Sequence, residues 1–234
     1  MTRPPVAVLD YGVGNLHSAT KALDRAGAEV RMVPTVDAAA GAAGLVVPGV
    51  GAYGACLSGL ASAGGAAAVA GWLEGGRPLL GICVGMQLLF EASEEGPVAD
   101  GVGVVPGKIR RLTGGVRGTP GGCPGGSGGV RGTPGGCPGG SGPVKIPHIG
   151  WDEVAIRPGS RLFAGLEDGT RFYFVHSYAP EPDGEAVAAV CDYGGRFAAA
   201  VEHGNLFGTQ FHPEKSGGAG LALLANFVTQ ARQA

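Results

Sequence analysis

Apolar positions in the first half of the chain fall in short unbroken runs: "VAVLD" (6–10), "GLVVPG" (44–49) and "PLLGI" (78–82), with "EVRMV" (29–33) as a further strand. Between them lie helix-like stretches: "LHSATKALDRAG" (16–27), which closes on a glycine, alanine-rich segments around Trp72, and "VGMQLLFEASEEG" (84–96). Apolar strands alternating with helices predict a parallel sheet covered on both faces.

The texture changes further on. "WDEVAI" (151–156), "RFYFVHSYA" (171–179), "AVAAVCDYG" (186–194), "FAAAVEHGN" (197–205) and "LFGTQFHPE" (206–214) are strand candidates split by turn residues. Their gaps are too short for helices, so some must pair antiparallel. A closing helix is predicted over "GGAGLALLANFVTQARQA" (217–234). The expected architecture is one α/β domain spanning 1–234. Its mixed, mostly parallel sheet is flanked by helices, with added antiparallel strands in the C-terminal half.

Composition narrows the function classes. Of 234 residues, 44% are hydrophobic and 15% charged, which is a globular rather than a disordered balance. A net charge of −2 provides no overall field for nucleic acid or an anionic membrane. No apolar run reaches the length of a membrane span, and "MTRPPVAVLDYG" lacks a secretory leader's apolar stretch, so a cytoplasmic location is expected. The five cysteines are odd in number and form no C-x-x-C pair, which argues against a disulfide framework or a zinc ribbon. No histidine and cysteine cluster has ligand spacing and no phosphate-cradling loop ends in Lys-Ser/Thr, so neither metal nor cofactor is expected.

One segment stands apart. "GGVRGTPGGCPGGSG" occupies 114–128 and recurs letter for letter over 128–142. Its paired glycines miss a collagen period, and it has no apolar spacing with which to build a core. It is expected to be a disordered insertion in a loop, where added length costs little closure entropy. Cys123 and Cys137 within it have no ligand partners nearby.

The chemistry is concentrated elsewhere. In "LLGICVGMQLLF" a buried strand runs into Gly81-Ile82-Cys83-Val84-Gly85, the pattern of a nucleophile elbow with cysteine in place of serine. Taken alone, Cys83 is equally a small buried hydrophobe. At a strand–helix turn it would sit at a helix N-terminus, where partial positive charge lowers a thiol's pKa, with the Val84 N–H beside it for an oxyanion. A cysteine nucleophile needs a base, and the base needs an orienting group. "GTQFHPEKS" offers His212 and Glu214, two apart at a strand's end, where extended backbone projects both the same way. His17 is expected on the exposed face of the first helix, His203 in a hairpin turn and His148 in a loop, while His176 lies on a strand and could line a pocket.

"GICVGMQLLF" followed far downstream by "GTQFHPEKS" resembles the class I glutamine amidotransferases. "LDYGVGNLHS", "VVPGVGAYG", "KIPHIGWDEV" and "FYFVHSYAP" narrow the resemblance to glutaminase subunits of imidazole glycerol phosphate synthase, over the whole chain except the repeat. The resemblance implies a flavodoxin-like fold and glutamine hydrolysis through Cys83 as nucleophile, His212 as acid–base and Glu214 as its orienter. Gly49, Val50 and Gly51 match the loop beside the nucleophile, which helps form the oxyanion hole with Val84. Gln87, Glu95, His176 and Ser177 match positions that hold the glutamine's amino and carboxylate groups. Asn15, Trp151, Tyr173 and Lys215 match positions near a partner, a (β/α)₈-barrel cyclase subunit that forms a heterodimer and takes the ammonia for histidine biosynthesis. The competing readings are a glutaminase subunit of pyridoxal phosphate synthase, a non-catalytic scaffold on the same fold, and a peptidase or deglycase on a related sheet.

Overall fold

A computed structural model describes residues 2–96, 99–114 and 144–234. All of the tandem repeat beyond Gly114 lies outside the described residues. The chain begins with β1 (Pro5–Leu9), α1 (Leu16–Arg25), β2 (Glu29–Val33), β3 (Gly44–Gly49), α2 (Tyr53–Ser62), α3 (Gly65–Glu74), β4 (Leu79–Cys83) and α4 (Val84–Gln87). It continues through β5 (Phe90–Ser93), β6 (Ala99–Asp100), β7 (Val105–Arg111), β8 (His148–Glu153), β9 (Ala155–Ile156), β10 (Arg171–His176) and β11 (Tyr178–Pro180). The last elements are β12 (Val187–Asp192), β13 (Arg196–His203), β14 (Leu206–Thr209) and α5 (Gly217–Gln233).

The main sheet has the order β2-β1-β3-β4-β14-β13-β12-β9. Its first five strands are parallel, and β13, β12 and β9 continue it antiparallel. Every residue of β3, β4 and β14 is buried, as their unbroken apolar runs require. Two smaller sheets stand beside it: an antiparallel pair β10-β8, and a four-stranded sheet β11-β7-β5-β6. The mixed, mostly parallel sheet with extra antiparallel strands in the C-terminal half is the architecture that the apolar spacing predicts. Among the described residues no single helix is long and apolar enough to cross a membrane.

Four local expectations fail. The helix expected over 84–96 lasts one turn. The carbonyls of Leu88 and Leu89, which would accept the next helical bonds, instead accept from the N–H groups of Val102 and Val105 at 2.7 and 2.9 Å. The backbone therefore extends into β5 and pairs with β7. His148 is not in a loop but opens β8, fully buried. "RFYFVHSYA" is broken at Ser177, so that β10 and β11 join different sheets. The strand "LFGTQFHPE" leaves the ladder after Thr209, and the His212 N–H bonds the Tyr173 carbonyl of β10 at 2.9 Å instead.

Candidate active site

β3 and β4 run parallel at the centre of the sheet, with Gly49 opposite Cys83. Among the described residues Cys83 is the one non-glycine with positive φ, at 55°, a conformation that costs on the order of 1–3 kcal/mol. The glycines around it show what enforces this. A Cβ on Gly85 would stand 1.9 Å from the Val47 carbonyl oxygen, and one on Gly81 2.7 Å from Met86 Cα. A Cβ on Gly49 would stand 2.4 Å from the Gly85 nitrogen. Three backbone segments thus meet at the elbow with no room for a side chain, and the turn lifts Cys83 off the strand's end.

The helix after Cys83 is a four-residue turn, too short to supply the macrodipole expected of it. The polar groups around the thiol come instead from "TQFHPE". Gln210, fully buried, donates from Nε2 toward Cys83 Sγ at 3.6 Å. His212 is 2% exposed, and its Nδ1 lies 2.8 Å from Glu214 Oε1. The reason for this contact differs from the extended i, i+2 projection expected. Pro213–Lys215 form a 3₁₀ turn, closed by the Lys215 N–H on the His212 carbonyl at 3.0 Å, which curls Glu214 back under the imidazole. Ser216 Oγ donates to the His212 carbonyl at 2.7 Å and accepts from the Tyr173 N–H at 3.0 Å, anchoring the turn to β10.

Burial disfavours the charged form of His212, but the Cys83 thiol and the Glu214 carboxylate outweigh it and raise its pKa to about 9. His212 Nε2 has no partner in hydrogen-bond geometry among the described residues, although Cys83 lies near enough to act on its charge. A buried imidazole is thus held by a carboxylate on one nitrogen, and its other nitrogen is left for the thiol or for whatever bonds to it.

Cys83 and His212 form part of the wall of a cavity of about 470 Å³. Val50, Gly51 and Val84 line it beside Cys83 and His212, while Gln87, Glu95, His176 and Ser177 line it further round. Asn15 and Lys215 also reach the cavity, but Gly49, Glu214, Trp151 and Tyr173 do not line it. Gly49 lies beneath the cysteine, and Glu214 stands behind His212. Trp151, 45% exposed, meets Tyr173 edge-on at 6.0 Å, and Lys215 Nζ lies 5.9 Å from the Tyr173 ring. The four residues expected near a partner therefore border the cavity mouth or sit on the β8-β10 face beside it. Ile149, 59% exposed on the same strand as Trp151, was not anticipated.

Two cavity residues are held more tightly than the sequence implies. Gln87 Nε2 donates to the Tyr178 carbonyl and to Gln210 Oε1, each at 2.9 Å, which leaves its buried Oε1 without a partner among the described residues. His176 spends both ring nitrogens within the protein, on the Tyr178 carbonyl and on His148. Burial, with His148 and His212 nearby, pushes its pKa down to about 3. The loop 48–51 is braced from behind as well. Tyr11 donates its hydroxyl to the Pro48 carbonyl, and Cys56 its thiol to the Val50 carbonyl at 3.4 Å. In a trans peptide the N–H points opposite its C=O, so the Gly51 N–H faces away from Cys56. Sequence reading missed Gln210, though its place two residues before His212 in an extended stretch was a usable signal. It also missed Tyr11, although "LDYGVGNLHS" contains it, and Cys56, which no motif marks.

The profile of the glutamine amidotransferase class-I family matches residues 7–231. The chain is 47% identical to the imidazole glycerol phosphate synthase subunit HisH of Nocardia farcinica, over 97% of this chain and 99% of that protein. It is 42% identical to the subunit of the same name from Moorella thermoacetica, over 98% and 97%. In fold it is similar to PurLQS from Thermotoga maritima, with a TM-score of 0.68 at 20% identity over 97% of this chain and 99% of that one. A solved glutamine amidotransferase superposes with a TM-score of 0.68 at 20% identity, over 97% and 98%. The strained cysteine elbow, the buried histidine and carboxylate behind it and the match along nearly the whole length agree: the chain belongs to the class-I glutamine amidotransferase family.

Proposed function

We propose that this chain is the glutaminase subunit of an imidazole glycerol phosphate synthase. It hydrolyses glutamine to glutamate and ammonia and delivers the ammonia to a (β/α)₈-barrel cyclase subunit, which forms imidazole glycerol phosphate and aminoimidazole carboxamide ribotide. The observation that carries the chemistry is the pair Cys83 and His212 in the wall of one cavity, with the buried Glu214 carboxylate behind the imidazole. The names of the relatives at 42–47% identity support the assignment to this synthase rather than to another amidotransferase.

In this reading the Cys83 thiolate attacks the side-chain amide carbon of glutamine. The carbonyl oxygen becomes an oxyanion, taken by the Val84 N–H and the backbone of Gly49, Val50 and Gly51. Donors placed in this way are worth roughly 3–4 kcal/mol each when removed. His212, protonated because its pKa is about 9, gives its Nε2 proton to the leaving nitrogen, so that the C–N bond breaks and ammonia departs. A glutamyl thioester remains. Water then adds to it, His212 takes the water's proton, and collapse expels the thiolate and leaves glutamate. Glu214 keeps the ring oriented throughout. The buried Gln87 Oε1, unpaired among the described residues, is a ready acceptor for the substrate's α-ammonium, with Glu95 on the same cavity as a counter-charge.

The partner reading rests on the exposed Trp151 and Ile149 beside the cavity, with Tyr173, Lys215 and Asn15 around its mouth. Ammonia released into water would be protonated and lose its nucleophilicity, so a receiving subunit has to cover that mouth. A biosynthetic role of this kind goes with a cytoplasmic location. The test is to mix the chain with the cyclase subunit and measure glutamate release with and without the cyclase's substrate. Release that depends on the cyclase and disappears in Cys83→Ala is expected. Release that survives Cys83→Ala would overturn the assignment.

A further inference from the structure

Behind the cavity wall runs a buried chain of polar groups that the reaction above does not use. Asp152 Oδ2 lies 2.8 Å from His148 Nε2, and His148 Nδ1 lies 3.2 Å from His176 Nε2. His176 Nδ1 lies 3.0 Å from the Tyr178 carbonyl oxygen. Of these, His148 is 0% exposed, and Asp152 and His176 are each 7% exposed. His148 and His176 are directly opposed across β8 and β10, and Asp152 lies four residues beyond His148 on the same face of β8.

Counting protons along this chain has only one kind of outcome. A carbonyl oxygen can only accept, so His176 Nδ1 carries the hydrogen. His176 is neutral, its pKa pushed down to about 3 by burial and by His148, so its Nε2 accepts. The donor to it must be His148 Nδ1–H. His148 Nε2 then faces a carboxylate, which accepts as well. The pair His148–Asp152 therefore holds one proton more than a neutral imidazole and an ionised carboxylate would.

The surroundings indicate where that proton sits. The His148 ring is stacked between two aromatic faces, Tyr193 at 3.8 Å and Phe174 at 4.7 Å, with interplanar angles of 12° and 16°. A cation between two π faces gains from both, and a buried charge is tolerable only when paired in this way. Among the described residues, the titratable groups facing His148 are Asp152, His176 and Tyr193, and of these Asp152 is the one that can supply a negative charge at neutral pH.

We propose that His148 and Asp152 are positioning residues. They form a buried imidazolium–carboxylate pair that fixes His176 as a neutral, Nδ1-protonated part of the cavity wall. Its Nδ1–H then pins the Tyr178 carbonyl, which Gln87 Nε2 also holds at 2.9 Å. The two bonds set the path of His176-Ser177-Tyr178 where it lines the cavity and fix which way round the Gln87 amide lies. Keeping His176 uncharged also leaves His212 as the one imidazole of the wall that changes charge during the reaction. This role rests on the glutaminase reading given above, but the proton count does not.

The experiment takes the full chain with ¹⁵N-labelled histidine. At neutral pH both ring nitrogens of His148 should show protonated shifts, and His176 should show one protonated and one bare nitrogen. A neutral His148 overturns the proposal, whether or not any variant folds. In the complex with the cyclase, Asp152→Asn should return His148 to the neutral form and raise KM for glutamine roughly tenfold with kcat little changed, because the wall binds ground state and transition state alike. Asp152→Glu should restore most of the loss. An unchanged KM in a folded Asp152→Asn protein that has lost the imidazolium would overturn the positioning role. If the wild-type complex released no glutamate, the functional reading would fall while the spectrum still decided the proton count.

Discussion

Gln210 Nε2 points at Cys83 Sγ from 3.6 Å, and the Gln210 oxygen is itself held by Gln87. The amide is thus fixed with its donor toward the sulfur. Gln210→Leu removes that donor and leaves Gln87 Nε2 one acceptor short. A hydrogen bond to a charged group is worth about 1.5–3 kcal/mol, so kcat/KM for glutamine should fall roughly 10- to 100-fold. If kcat/KM stays within twofold of wild type, the donor has no part in the reaction.

The pH dependence follows from His212. Its pKa is raised from 6.5 to about 9, so the folded protein binds this proton more tightly than the unfolded chain does. The stabilisation is fully present below pH 6.5 and is lost as pH rises through about 9. In the proposed reaction the same proton is the one given to the leaving ammonia. The kcat/KM of the complex should therefore fall on the alkaline side near pH 9. Glu214 is one of the groups that raise this pKa, so Glu214→Gln should move the alkaline limb to lower pH and reduce kcat. An unmoved limb would mean that Glu214 does not set the charge of His212.

At the elbow, Gly85→Ala puts a Cβ 1.9 Å from the Val47 carbonyl oxygen, a backbone atom that cannot swing aside. Such overpacking costs about 3 kcal/mol or more, a large part of a domain's stability. The variant should melt many degrees lower or fail to accumulate as soluble protein. Gly54→Ala is the control: no atom within 4 Å opposes its Cβ, and it should be tolerated. A Gly85→Ala protein with wild-type Tm would show that β3 and α4 can separate.

The elbow was legible in the sequence because close backbone approach leaves a mark, glycines on both sides of Cys83. The buried strands β3 and β4 were legible for a similar reason, since a sheet covered on both faces accepts short runs with no polar residue. The one-turn length of α4 was not. "VGMQLLFEASEEG" has helical spacing, and what ends the helix is the capture of the Leu88 and Leu89 carbonyls by Val102 and Val105, a contact made far along the chain. His148 was misplaced because a histidine after a proline resembles a loop, while its burial depends on Phe174, Tyr193 and Asp152 closing around it. Glu214 was paired with His212 correctly but by the wrong geometry, because nothing local distinguishes an extended His-Pro-Glu from one curled into a 3₁₀ turn.

The last prediction concerns the tandem repeat. The residues that flank it meet: a Cβ built on Gly114 would lie 3.5 Å from the Val144 carbonyl oxygen and 3.5 Å from Ile146 Cδ1. The chain therefore leaves and re-enters the fold at nearly one point, and a short connection suffices to join β7 to the start of β8. Deleting residues 116–142, which keeps Gly115 and Pro143 as the bridge, removes chain without stretching either strand. Shortening a loop lowers its closure entropy only slightly, by about 0.6 kcal/mol for each halving. The deletion should leave Tm within a few degrees of wild type, or slightly above it, and glutamate release by the complex within about twofold. Because Pro147 lines the cavity only three residues from Val144, a deletion that abolished release without lowering Tm would place the repeat at the cavity or against the partner, contrary to its reading as a tolerated insertion.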